Sequence, residues 1–226
     1  MKTGIYWQNP EYALTPGRDF IRDPSIVLDL PLYKLDGASI MSKDAYGHLC
    51  TVTGALWRPN GRLFDGSDDW INCGNAARLN PGLMTIEAWI NLESLIADYV
   101  AIVDRVTQPC YQLLLNASEQ PCIFFNVGGW KTVTGSALNI DQWYHLVATH
   151  DGVNIRLYVD AVEQTPATAA AGTIASGVAN TTIGAAGDAG DSRRFPGSIG
   201  EIRIYNRALT PLEIQHNYLA TKWRYR

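Results

Sequence analysis

The side chains best suited to chemistry gather in one stretch, Gly187-Asp188-Ala189-Gly190-Asp191-Ser192-Arg193-Arg194-Phe195-Pro196-Gly197, where two carboxylates and two guanidinia lie between glycines. Such groups on a loop held by rigid strands bind sugar hydroxyls, an acidic sugar or a cation. The alternative is a solvated loop whose charges pair with one another and with water. A second feature is Gly128-Gly129-Trp130-Lys131, which presents a tryptophan at a turn. Its indole either stacks on a sugar ring or caps the core. The expected ligand-binding residues are therefore Trp130, Asp188, Asp191, Arg193 and Arg194.

Hydrolytic chemistry is less well supplied. Cleaving a glycosidic bond takes two carboxylates about 5–10 Å apart, which on one strand means acids two or four residues apart. Glu87 and Glu93 are six apart, and Glu201 has Arg203 two residues on. No GxSxG, HExxH, GxxxxGK[ST] or GxGxxG pattern occurs. The histidines (His48, His145, His150, His216) are scattered, and His145 and His150 fall on opposite faces of one strand by parity. The cysteines (Cys50, Cys73, Cys110, Cys122) form no CxxC pair, which removes a zinc or thioredoxin-like reading; buried thiols are expected rather than bridges. The sequons at Asn116 and Asn180 are read as chance matches. No catalytic residue and no cofactor is assigned.

These groups need a scaffold, and the scaffold is legible. The 226 residues are 46% hydrophobic and 18% charged, enough for one domain with a real core. A net charge of −4 removes the electrostatic reason to expect nucleic acid, and no apolar run is long enough to span a bilayer. Short runs such as MTIEAWINL, YVAIVDRV, CIFFNVG, WYHLVATH, NIRLYVD and SIGEIRIYN are apolar or alternate apolar with polar residues, between turn signals. Each predicts a strand with one apolar face: Ile86, Ala88 and Ile90 oppose Glu87, Trp89 and Asn91, and Ile202 and Ile204 oppose Glu201, Arg203 and Tyr205. Trp89 is expected to pack under a loop. Asp151-Gly152 signals a hairpin, and Thr210-Pro211 with Glu213 signals one capped helix. The fold class is all-β, a two-sheet antiparallel jelly-roll sandwich with one short helix near the C-terminus.

Several segments, in order, resemble the LamG-like, concanavalin A-like lectin/glucanase superfamily, especially its bacterial and phage jelly-roll members. They include LDLPLY, GRLFDGSDDWINCG, MTIEAWINL, DQWYHLVATHDGVNIRLYVDAV and FPGSIGEIRIYNRALTPLEI, within residues 27–220. The resemblance implies a lectin-like sandwich and calcium as a possible cofactor. Two positions depart from the family pattern. Gly200 stands where an acidic residue often supplies a calcium ligand, which weakens that implication. Ala161 replaces the glycine of a Tyr-Val-Asp-Gly turn, so another turn type is expected there.

The expected division is an N-terminal arm (1–24), the jelly roll (25–220) and a basic-aromatic tail (221–226). Tyr6, Trp7, Tyr12 and Phe20 in the arm, with Trp223 and Tyr225 in the tail, are expected to contact protein partners or other copies of the chain, or to fold back on their own sandwich. The first twenty residues carry no apolar leader segment. Together these features lead to the expectation of a non-catalytic recognition domain, with a glycan as partner, on a virion or cell-surface assembly. A virion structural protein without sugar binding is the rival.

Overall fold

The computed structural model describes residues 23–106, 110–187 and 193–225. Their strands form two antiparallel sheets. The first sheet runs β14 (Val162–Ala169), β13 (Asn154–Val159), β12 (Trp143–His150), β7 (Met84–Leu92), β16 (Pro196–Tyr205), β5 (Gly61–Asp65) and β4 (Leu56–Arg58). The N-terminal strand β1 (Ile26–Pro31) also pairs with β16. The second sheet runs β11 (Trp130–Thr134), β10 (Pro121–Asn126), β9 (Tyr111–Leu115), β8 (Val100–Arg105), β15 (Thr182–Ile183), β6 (Trp70–Asn72), β3 (Leu49–Thr53) and β2 (Ser39–Met41). The all-β sandwich read from the sequence is the fold observed. No helix among the described residues is long and apolar enough to cross a membrane.

The alternation places the core. Ile86, Ala88 and Ile90 of β7, Leu146 and Ala148 of β12, and Ile202 and Ile204 of β16 face Leu113, Leu115, Ile123 and Phe125 of β9 and β10. Each fully buried aliphatic side chain of this kind contributes roughly 1.5–3 kcal/mol. His150 lies on this inner side, bonded through Nε2 to the Ala170 carbonyl at 2.9 Å, while His145 lies on the outer side. Parity had separated the two. Buried arginines hold loops that lack regular structure: Arg62 donates to the carbonyls of Leu35, Gly37 and Ala55, and Arg105 to those of Asn75 and Gly177. All four cysteines are buried and none is in a disulfide.

The structure corrects two expectations and decides between the alternatives of a third. Trp89 does not pack under a loop. Thr85, Glu87 and Trp89 are as buried as their inward neighbours because the C-terminal helix α1 (Pro211–Thr221) folds back over them. The Thr210 hydroxyl accepts from the Glu213 N–H, and the Glu213 carboxylate accepts from the Thr210 N–H, so the helix starts on the capping box its sequence signals. Secondly, the β13–β14 hairpin keeps its two-residue turn despite Ala161. Val159 pairs with Val162, and Asp160 (φ 51°) and Ala161 (φ 65°) both adopt the left-handed region that this tight hairpin turn demands. A Cβ there costs about 1–2 kcal/mol relative to glycine. Finally, of the two alternatives for Tyr225 the structure shows the second: the ring is packed on its own sandwich, as described next.

Candidate functional site

The two outer faces differ in what covers them. On the first sheet, β7 and β16 place Glu87 opposite Arg203, and β12 brings His145 alongside. The Glu87 carboxylate accepts from His145 Nε2 at 2.8 Å, Arg203 Nη1 at 3.2 Å, the Tyr205 hydroxyl at 2.7 Å and Asn217 Nδ2 of α1 at 3.0 Å. A carboxylate can only accept, so His145 carries its proton on Nε2. Burial alone would push Glu87 up, but Arg203 and the His145 and Tyr205 donors outweigh it and hold the carboxyl at about 2. Arg203 also donates to Glu201 at 2.8 Å; burial there prevails and raises the Glu201 carboxyl.

An aromatic lid closes this network. Trp89 donates its indole N–H to Thr221 Oγ1 at 2.9 Å and stacks on the Tyr225 ring at 4.4 Å and the Tyr218 ring at 5.8 Å. Trp143 also meets the Tyr225 ring, tilted, at 4.7 Å. Trp89 therefore packs under the C-terminal helix and tail rather than under a loop. Gly200 explains why the tail fits: a Cβ there would sit 2.3 Å from the Tyr225 ring. The position where the family pattern has an acid is thus filled by an aromatic ring. Of the two expected tail contacts, Tyr225 is spent within the chain, whereas Trp223 is half exposed. The arm residues Tyr6, Trp7, Tyr12 and Phe20 lie outside the described residues.

Among the described residues no helix crosses the corresponding part of the second sheet. There β8, β9, β10 and β11 place Asp104, Gln112, Phe124 and Thr132 in one cross-strand row, and Trp130 opposes Asn126 at the next outward position. Trp130 reaches its place through two glycines at positive φ, Gly128 and Gly129, and the Asn126 side chain accepts the Gly129 N–H at 3.0 Å. The Phe124 ring meets Trp130 edge-on at 6.3 Å and Tyr99 edge-on at 6.2 Å. Beyond Tyr99 the Arg193 guanidinium lies over the ring at 5.6 Å. An aromatic run thus crosses the strands, with Trp130 43% exposed at one end and an exposed cation at the other.

Polar groups fix one border of this run. Gln112 donates to Asp104 Oδ1 at 2.6 Å and the Gly187 N–H donates to Oδ2 at 3.1 Å, while the Ala101 N–H donates to the Arg193 carbonyl at 2.7 Å. Strand β8 therefore anchors the backbone at residues 187 and 193. Burial pushes the Asp104 carboxyl up to about 6 against the pull of Gln112, Gly187 and Arg193. Arg193 is held at φ 52°, a strained conformation for a residue with a side chain.

Of the expected ligand-binding residues, Trp130 and Arg193 are brought onto one surface. Arg194 does not join them; its charge acts instead on Asp69. Asp188 and Asp191 lie outside the described residues. Tyr99, Phe124, Asp104 and Gln112 were missed. The available signal was parity: in CIFFNVG, Phe124 falls on the side opposite Ile123 and Phe125, and Asp104 interrupts an apolar run. A separate acidic group, Asp65, Asp68 and Asp69, has oxygens within 4.8 Å of one another. Its oxygens already serve the turn, since Asp65 Oδ1 accepts from the Ser67 N–H and Asp69 Oδ2 from the Asp65 N–H.

Comparison with known proteins agrees with this architecture. No curated protein sequence matches the chain. Among solved structures, Trypanosoma rangeli sialidase in complex with 2,3-difluorosialic acid superposes with a TM-score of 0.72 at 15% identity, covering 91% of this chain and 34% of that one. The receptor-binding domain of botulinum neurotoxin mosaic serotype C/D gives 0.69 at 13% identity, covering 87% and 51%. Domain 4 of AbnA, an extracellular GH43 arabinanase from Geobacillus stearothermophilus, in complex with arabinotriose, gives 0.66 at 17% identity, covering 86% and 98%. The chain thus spans about a third of the sialidase and half of the toxin domain. At these identities the likeness concerns fold. The model of the concanavalin A-like lectin/glucanases superfamily matches residues 65–215, and the chain belongs to that family.

Proposed function

We propose that the chain is a non-catalytic glycan-recognition domain whose ligand lies across the outer face of the second sheet. The observation that carries this reading is the aromatic run Trp130–Phe124–Tyr99 ending at Arg193. Aromatic faces and edges take up the C–H surfaces of pyranose or furanose rings, and a guanidinium donates to hydroxyl or carboxylate oxygens. Strands position Trp130 and Phe124, and Tyr99 directly precedes β8, which keeps the aromatic part of the platform preorganised.

The carboxylates support a binding role over a hydrolytic one. Glu87 and Glu201 lie on neighbouring strands, but each is 1% exposed and both are bound to Arg203 beneath α1 and Tyr225. At that exposure neither carboxylate is presented to a sugar or to the water that hydrolysis needs. Asp104 is committed to Gln112 and Gly187. The arabinotriose complex of the AbnA domain adds the precedent of a similar fold holding an oligosaccharide. Mounting on a larger assembly, at a virion or cell surface, is the second part of the reading. It is favoured by Leu212, Leu219 and Trp223, which α1 and the turn after it leave exposed.

A glycan array, run with and without chelator, tests recognition. Binding that survives chelator and disappears in Trp130→Ala supports the platform; a blank array overturns it. Release of reducing sugar from β-glucans, arabinans or sialosides would overturn the non-catalytic assignment. Light scattering of the wild type against a Leu219→Glu/Trp223→Glu variant tests the mounting surface, with a monomer in both cases removing self-association.

A further inference from the structure

The second sheet holds a pair of side chains that the proposed ligand site does not use. Cys50 on β3 and Cys73, the residue after β6, are 0% and 3% exposed and both belong to the core. The β3–β6 ladder pairs Thr51 with Asn72 and Val52 with Ile71. One step further in the same register sets Cys50 directly against Cys73.

The backbone bonds define what kind of pair this is. The Cys73 N–H goes to the Thr181 carbonyl, away from β3, and the Val52 N–H goes to the Ala38 carbonyl, away from β6. Strand parity turns the Cys50 N–H the same way as that of Val52. The two cysteines thus occupy a non-hydrogen-bonded antiparallel site, where Cα atoms approach to about 4.5 Å and side chains are closest. That separation falls inside the roughly 4.4–6.8 Å window of disulfides. Cys50 acts directly on its neighbour, raising the Cys73 thiol together with burial, while its own Sγ–H donates to the His48 carbonyl at 3.6 Å. The other two cysteines lack this relation: Cys122 faces Leu114 and Thr134 in register, and Cys110 precedes β9.

We propose that Cys50 and Cys73 are a redox modification site, a cross-strand dithiol that closes into a disulfide between β3 and β6 when the chain meets an oxidising thiol–disulfide couple. One thiolate attacks a sulfur of glutathione disulfide, forming a mixed disulfide and releasing one glutathione. The second thiolate then displaces the other. The protein sulfurs lose two electrons, glutathione gains them, and the two protons released from the cysteines end on the two glutathione thiols. Burial and the neighbouring Cys50 keep the Cys73 thiol protonated, so exchange waits on opening of the sheet edge. The short edge strand β2, whose Ser39 and Met41 are exposed, is the element that opens. Once formed, the bond pins β3 to the interior of the sheet.

Incubation of the intact chain in a glutathione redox buffer, at a urea concentration that loosens the edge without unfolding the core, tests the site. The expected result is a mass loss of two hydrogens, a non-reduced peptide linking Cys50 to Cys73, and a melting midpoint several degrees higher that dithiothreitol returns to its starting value. Cys73→Ala abolishes the mass change, while Cys122→Ala keeps it. Four thiols still open to alkylation after oxidation, a bridge between any other two cysteines, or glutathione adducts without a bridge would each overturn the proposal.

Discussion

The two sheets carry similar outward residues and put them to opposite uses. On the first sheet Glu87, Trp89, Arg203 and Tyr205 alternate with core aliphatics, and on the second Asp104, Gln112, Phe124 and Trp130 do the same. What differs is a third layer. Helix α1 and Tyr225 seal the first face, so its charges must satisfy one another in a dry site, and four donors converge on Glu87. Among the described residues no helix covers the second face at β10 and β11, and its aromatic edge meets water at Trp130, although Leu114 and Cys122 beside it are buried. Antiparallel sheets commonly leave one face solvated. Here the covering element, and not the strand pattern, decides which outer face is structure and which is surface.

The comparison breaks most visibly if the sealed network is disturbed. Arg203→Met leaves Glu87 and Glu201 buried without their shared cation. Removing one partner of a buried ion pair costs about 3–5 kcal/mol, which for a chain of this length lowers the melting midpoint by roughly 10–15 °C. A fall of only one or two degrees would mean the face is hydrated and the contrast false. Tyr225→Ala comes next. It strips the ring stacked on Trp89 and Trp143 and should cost about 3 kcal/mol, with Trp89 fluorescence shifting to the red as water reaches the indole. Ligand binding on the second sheet should be unchanged.

Acid separates the faces by sign. The Glu87 carboxyl falls from its usual 4.5 to about 2 on folding, so its contribution is present above 4.5 and lost as the pH drops through 2. Asp104 behaves in reverse. Its carboxyl rises from 3.8 to about 6, so its contribution is full below 3.8 and lost as the pH rises through 6. Asp104→Asn removes that second dependence. Denaturant unfolding from pH 4 to 7 should show the wild type losing about 2–3 kcal/mol relative to the variant across this window. Equal slopes for the two proteins would sink the assignment of a buried carboxyl to the second face.

How much of this the sequence discloses depends on the distance over which each feature is made. The strands, the core side of each and the cap of α1 are local, set by period-two alternation and by Thr210, Pro211 and Glu213, and they read directly. The Glu87 network is not local. It joins residues 58, 116, 118 and 130 positions away; alternation marks the three on strands only as outward and says nothing of Asn217 on α1. Trp89 and Tyr205 sharing that side were the hint that something covers it. Of the platform, Trp130 was legible because two glycines advertise its turn. Tyr99 and Phe124 join it only through pairing across β8, β9 and β10, which no single strand reveals. Ala161 misled because the hairpin tolerates strain that a local rule forbids.

The smallest effect on stability sharpens the comparison most. Trp130 is 43% exposed and touches Phe124 only edge-on, so Trp130→Ala should change stability by less than about 1 kcal/mol. If the second face is a recognition surface, the same substitution should weaken glycan binding at least about tenfold, the equivalent of ~1.4 kcal/mol in affinity. Trp130→Phe keeps an aromatic edge beside Phe124 and should restore part of it. Titration calorimetry with the best glycan from an array, beside a thermal melt of each variant, reads both quantities. A variant that melts normally and binds normally would remove Trp130 from the site. One that melts much lower would show that the indole caps the core after all, and that the second face, like the first, exists for stability.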